Sequence, residues 1–141
     1  VLAGGNDVLR WTPLRRLRAQ ALALQLTLRT RARHVVWAGM ANVGRAPLFL
    51  PPFSWLLTAR TRYVSRLLHR CAQRTGVRFI NFFRDAPADP FSARPQLYYG
   101  RDGVHPSSAA YAWCYRKLRP AITHALASST STRSFGAEAR G

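Results

Sequence analysis

Asp102 and His105, in the run Arg101-Asp102-Gly103-Val104-His105-Pro106-Ser107, are the first residues here whose types and spacing suggest chemistry. An aspartate three positions ahead of a histidine can curl its carboxylate onto the imidazole Nδ1. The ring is then fixed in one tautomer, and Nε2 is left free to take a proton. The same spacing suits a plain turn, with a loop aspartate capping backbone N–H groups beside a surface histidine. The pair alone does not choose between the two. A second polar cluster, Gly4-Gly5-Asn6-Asp7, follows Val1-Leu2-Ala3 directly. Glycine tolerates backbone angles that other residues avoid, and Asn and Asp bond their own backbone in turns. Taken by itself the cluster is a strand exit turning into a helix.

Other polar residues offer less. Asp7 suits a turn-holding role, and Asp85 and Asp89 have no histidine near them in sequence and read as turn residues. His34, His69 and His124 fit structural or surface positions. Asn42, just beyond the second strand expected below, and Gly5, beside Asn6, are candidates to line a substrate pocket. Trp11, Trp55, Tyr98 and Tyr99 would serve as pocket walls or as plain packing. Cys71 and Cys114 lack CxxC or metal spacing and read as free thiols in helices.

The elements that must position these residues can be read from apolar periodicity. Pro13 opens a helix with Leu14, Leu17, Ala21, Leu24 and Leu28 in one stripe, widened by Leu22 and Leu26. His34–Met40 is a β-favouring apolar run, and Ala41–Pro52 a proline-containing loop. A second helix carries Leu56, Tyr63, Val64, Leu67, Leu68 and Cys71 on one face and stops at Gly76. Val77–Phe83 reads as another buried strand, 84–103 as a loop, and Pro106-Ser107-Ser108 as the start of a third helix. That helix carries Ala110, Tyr111, Cys114, Tyr115 and Leu118, with Pro120 kinking or ending it and one further stretch to Leu126. With Val1–Ala3 as a first strand, strand–helix units repeat three times, which implies crossover connections and a parallel sheet. In such sheets ligands gather beyond the carboxyl ends of the strands. Asn6 and the Asp102–His105 loop both fall there.

The chain has 141 residues, 48% of them hydrophobic, enough for one domain with a core. No apolar run is long enough for a transmembrane helix and no signal-peptide pattern opens the chain, so the compartment is left open. A net charge of +17, from 22 Lys+Arg against 5 Asp+Glu, would attract phosphates, anionic lipid headgroups or acidic partners. The arginines are scattered through every segment without a zinc-finger or RNA-recognition signature, so no specific nucleic-acid partner is expected. A solvated basic exterior, able to meet an anionic surface, is the expectation.

Taken together, Gly-Gly-Asn-Asp at a strand end and Asp-Gly-Val-His-Pro-Ser before the last helix resemble two motif blocks of the SGNH (GDSL-type) hydrolases. These are esterases and lipases on a flavodoxin-like α/β fold. The resemblance runs from Val1 to about Leu126. It implies a three-layer α/β/α sandwich with a parallel sheet and a Ser-His-Asp triad acting on a small ester or lipid, with no metal or other cofactor. Carried onto this sequence, Asn6 is the oxyanion donor, His105 the general base and Asp102 its orienting partner. The chain departs from the pattern in two respects: none of its serines follows an apolar strand in a Gly-Asp-Ser setting, and the family's oxyanion glycine block is missing. The resemblance therefore covers the C-terminal part of the domain, N-terminally truncated at residue 1, with 127–141 expected as a disordered tail. No nucleophile is assigned, and the chain alone is expected to be inactive. Two alternatives stay open: a non-catalytic basic module binding nucleic acid or anionic surfaces, and a degenerate pseudo-hydrolase.

Overall fold

The computed structural model describes residues 1–85 and 89–138, with side chains up to residue 128. Gly4 turns the chain at φ +114° and admits it to a one-turn helix, α1 (Gly5–Leu9). A Cβ on Gly4 would stand 2.3 Å from Met40 Cε and 2.9 Å from Leu68 Cδ1, so these side-chain ends would have to move, while the left-handed backbone angle itself demands glycine. Helix α2 (Leu14–Arg31) starts after Pro13 as its sequence predicts, since proline at a helix start loses no helical hydrogen bond.

Helix α3 (Phe53–Thr75) packs against α2, α1 and a single 3₁₀ turn, Val43–Arg45, in the loop after the first strand. Between and after these helices run two short parallel strands, β1 (Val36–Ala38) and β2 (Arg78–Ile80), in register Val36–Arg78, Trp37–Phe79 and Ala38–Ile80. One hydrogen bond beyond each end, Arg78 N–H to Val35 C=O (3.0 Å) and Gly39 N–H to Ile80 C=O (2.9 Å), continues the ladder. On the other side of β1, Leu2 forms a parallel bridge to Ala38.

Both strands are shorter than the apolar runs His34–Met40 and Val77–Phe83 suggest, and Val1–Ala3 amounts to a bridge rather than a strand. Each run continues into loops that bend away once their neighbours' hydrogen bonds end. The expected loop 84–103 contains two single-turn helices, α4 (Pro90–Ala93) and α5 (Pro95–Tyr98), each with proline at its start. Helix α6 (Ser108–Glu138) contacts β1. It passes through Pro120 instead of ending there, and its backbone continues to Glu138 through the stretch from Ala127 where a disordered tail was expected. The end of that expected tail, 139–141, lies outside the described residues.

Alternate strand residues separate the packing. Val35 and Trp37 join Leu17 and Ala21 of α2 and Leu57, Val64, Leu68 and Cys71 of α3 in the larger core cluster. Val36 points the other way, to an apolar cavity it shares with Leu118 and Ile122 of α6. A smaller cluster gathers Ala46, Phe91, Tyr99 and Ala110. The sheet is thus small and parallel within a mostly helical α/β chain.

Three helix faces depart from those expected. On α2 the buried residues are Leu17, Ala21 and Gln25, while Leu24 and Leu26 are exposed. Inside, Gln25 Oε1 accepts a 2.9 Å bond from Thr75 Oγ1 of α3, while its Nε2 finds no partner among the described residues. On α3, Leu57 and Thr61 are buried and Leu56 and Tyr63 exposed. On α6, Tyr111 and Tyr115 are exposed and Ala110 is buried. Cys71 and Cys114 are free thiols, the first buried and the second half-buried. No helix among the described residues is long and apolar enough to cross a membrane.

Candidate active site

The Asp102–His105 turn is closed at its base before any side chain acts. Tyr99 and Pro106 form an antiparallel bridge, Gly100 N–H donates to His105 C=O (2.8 Å), and Ser107 N–H donates to Tyr98 C=O (3.0 Å). Gly103, at φ +67°, makes the reversal, and its carbonyl accepts from Leu48 N–H at 3.2 Å, tying the turn to the loop before α3. Inside this frame the Asp102 carboxylate uses both oxygens. Oδ1 accepts from the Val104 and His105 N–H groups, each at 3.0 Å, and Oδ2 lies 2.5 Å from His105 Nδ1. The turn-cap and the ring-orienting geometries are therefore both present, made by one side chain. These contacts hold the Asp102 carboxyl down at about 2: the Val104 N–H contributes most, then the His105 ring, then the His105 N–H. The His105 side chain is 78% exposed.

Asn6 sits on α1, an exposed position on a turn too short to hold itself. The support comes from α3. Arg60 Nε donates to Val8 C=O (3.1 Å), and its Nη2 donates to Asp7 C=O (3.2 Å) and Thr12 C=O (2.7 Å). The guanidinium lies 4.6 Å from the Trp11 ring, whose residue takes a left-handed φ of +52°. Asp7 adds a 2.9 Å bond from Thr12 Oγ1, the turn-holding role its position suggests.

These separately built turns meet. Gly5, Asn6, Asn42 and His105 line one cavity of about 150 Å³, walled by Met40, Phe91 and Tyr99. A second, larger cavity of about 490 Å³ shares Gly5, Asn6 and His105 and extends along Leu2, Ala3 and Phe82. Asn42 is fully buried: Oδ1 accepts from Gly44 N–H at 3.2 Å, and Nδ2 finds no partner among the described residues. Of the aromatic candidates, Tyr99 lines the smaller cavity and Tyr98 stacks on Phe91, while Trp11 belongs to the Arg60 lock and Trp55 is exposed. Burial, then the nearby negative Asp89, push the Tyr99 phenol above its usual range, so it stays a neutral wall.

The remaining polar candidates are used elsewhere. Asp89 caps α4, accepting from Phe91 N–H and Ser92 Oγ, and Asp85 pairs with Arg62 at 2.6 Å. His69 stacks on Phe79, and His34 and His124 are exposed. Ser65, Ser92 and Ser107 commit their hydroxyls to Asn81 Oδ1, Asp89 Oδ2 and Leu97 C=O. Arg60 and Phe91 are the site-building residues that sequence patterns missed. Arg60 has no local signal because its acceptors lie 48 to 53 residues away.

Residues 1–113 match the family model described as the GDSL-like lipase/acylhydrolase family. No curated protein and no solved structure matches the chain. The matched span includes both polar turns and the strands between them, which is four-fifths of the chain. The chain belongs to the GDSL-like lipase/acylhydrolase family.

Proposed function

We propose that the chain carries the acid–base and oxyanion side of a serine-esterase site, on the flavodoxin-like three-layer α/β/α sandwich its family resemblance implies. The observation that carries this reading is the 2.5 Å Asp102–His105 contact opening onto the same cavity as Asn6. With Asp102 on Nδ1, the ring's free nitrogen is the one that can act as base. His105 Nε2 takes the proton of a serine hydroxyl as that oxygen attacks the ester carbonyl carbon. The imidazolium that forms is stabilised by Asp102 Oδ2. The carbonyl oxygen, now an oxyanion, accepts from the Asn6 side-chain amide. As the intermediate collapses, the C–O bond to the alcohol breaks and His105 returns the proton to the leaving oxygen. Water repeats the cycle on the acyl-serine and frees the acid.

No serine in this sequence stands in a Gly-Asp-Ser setting, and Ser107, closest to His105 in sequence, holds the Leu97 carbonyl at 2.6 Å. The attacking serine therefore comes from a segment outside these residues, and the chain alone does not turn over esters. Two assays with a p-nitrophenyl ester separate these claims. The chain alone gives no His105-dependent hydrolysis; turnover that disappears in His105→Ala overturns the assignment of the serine elsewhere. Joined behind a Gly-Asp-Ser-bearing strand–helix–strand–helix segment of a relative, it hydrolyses the ester and loses roughly 10²–10³-fold on Asn6→Ala. Hydrolysis by the joined protein that ignores His105→Ala overturns the role of His105.

A further inference from the structure

Away from this site, α2 and α3 enclose a groove of about 240 Å³ lined by Arg18, Tyr63, Arg66, Arg70, Cys71 and Arg74. Three of its arginines recur at four-residue steps on α3, about 6 Å apart along the axis, and Arg18 faces them from α2. All four are exposed, and among the described residues none of their side chains carries a hydrogen bond or ion pair. Like charges at this spacing disfavour the helix that bears them, and among the described residues no carboxylate lines the groove to offset them. The field of the cluster is felt within the protein: Arg18 and Arg74 pull the Cys71 thiol down, against a larger upward push from burial.

We propose that this groove is an anion site for a phosphate-bearing ligand with at least two negative charges. Planar guanidiniums fork onto tetrahedral oxyanions, and four arginines line this one groove together with Tyr63. The groove holds the volume of about eight waters at ~30 Å³ each, room for a second phosphate or an ester arm beside the first. A single surface arginine offers neither the charge density nor the concavity. The site is independent of the esterase reading, since it shares no residue with the Asn6–His105 cavity.

The test is calorimetric titration of the whole chain with pyrophosphate at low ionic strength, where screening is weak. One ligand per chain is expected. Arg18→Gln/Arg70→Gln weakens binding by about tenfold or more, equivalent to about 1.4 kcal/mol. A control with the same loss of charge, Arg94→Gln/Arg116→Gln, stays within about twofold of the parent. Equal weakening in the two variants, or binding without saturation, overturns the proposal, because attraction would then reside in the net charge. All four positions are exposed. Should the groove variant fail to fold, Arg18→Lys/Arg70→Lys replaces it, keeping charge but losing the fork, with weakening again expected. Vesicles of phosphatidylcholine with phosphatidic acid identify the source. Release of the groove variant but not the control points to a lipid headgroup; equal vesicle binding with different pyrophosphate binding points to a soluble phosphate compound.

Discussion

Replacing Arg60 by methionine keeps an apolar stem against Trp11 while deleting the hydrogen bonds that hold the Asn6 turn. The magnitude follows from what each carbonyl retains. Asp7 and Val8 C=O keep backbone donors, Thr12 N–H at 3.1 Å and Trp11 N–H at 3.3 Å, so each forfeits only a second bond. Thr12 C=O has the 2.7 Å Arg60 bond as its one partner among the described residues. With a net ~1 kcal/mol per bond, a smaller cation–π share, and a discount for a half-buried guanidinium, the loss is about 2–3 kcal/mol. Against a total stability of roughly 5–15 kcal/mol this is large. In urea it lowers the midpoint by about 1–2 M at a slope typical of this size. Hydrogen exchange gives the local readout: the Arg10 and Thr12 amides, bonded to Asn6 and Asp7 C=O, lose protection before the α3 amides do. Arg60→Lys, with one compact ammonium, recovers less than half of the loss. An Arg60→Met variant within about 0.5 kcal/mol of the parent, with Arg10 and Thr12 exchange unchanged, refutes the claim that α3 holds α1.

Gly4→Ala places a methyl 2.3 Å from Met40 Cε at φ +114° and lowers the melting temperature. Adding Met40→Ala relieves the nearer overlap but leaves the Leu68 Cδ1 contact at 2.9 Å and the backbone strain, so rescue by the double variant is incomplete. The pH response of the His105 turn has a defined sign. Because the folded Asp102 carboxyl is held down at about 2, its contribution is fully present above the unfolded value of ~3.9 and disappears as pH falls through about 2. The Asp102 side-chain carboxyl carbon resonance therefore titrates in that lower window. A transition centred near pH 4 or above contradicts the hydrogen-bond set.

What could be read in the sequence was what is local. Asp102 and His105 meet within one turn, so residue types and a spacing of three were enough to anticipate their contact. The three long helices were legible because apolar periodicity survives without knowledge of partners. The buried face of α3 was displaced from Leu56 and Tyr63 to Leu57 and Thr61 because neighbouring apolar stripes overlap on a helix bearing apolar residues on several sides. Which stripe is buried depends on where α2 and the 3₁₀ turn sit. Strand lengths were overestimated for a related reason: apolar runs report burial, while ladders need a partner at every residue. Arg60 and the arginine groove were illegible for the opposite cause. Scattered arginines look alike in sequence, and only helix pairing brings Arg18 to Arg70, or Arg60 to the Thr12 carbonyl.

The two jobs of Asp102 can be separated by substitution, and that separation tests whether the geometry is catalytic or merely a turn. In Asp102→Asn the side-chain oxygen still accepts from the Val104 and His105 N–H groups, so the turn survives. The other atom toward His105 Nδ1 is now an amide that donates. Nδ1 must then accept, and the neutral ring's proton moves to Nε2, where it blocks proton abstraction from a hydroxyl. Asp102→Ala removes cap and ring partner together. Nitrogen NMR of the His105 ring distinguishes the tautomers without any turnover. The expected pattern is Nδ1–H in the parent, Nε2–H in Asp102→Asn with turn amides unshifted, and disturbed turn amides in Asp102→Ala. If the parent ring already carries its proton on Nε2, then the 2.5 Å contact is not ordering the base. Asp102 would be a turn cap alone, and the esterase assignment of His105 would lose its main support.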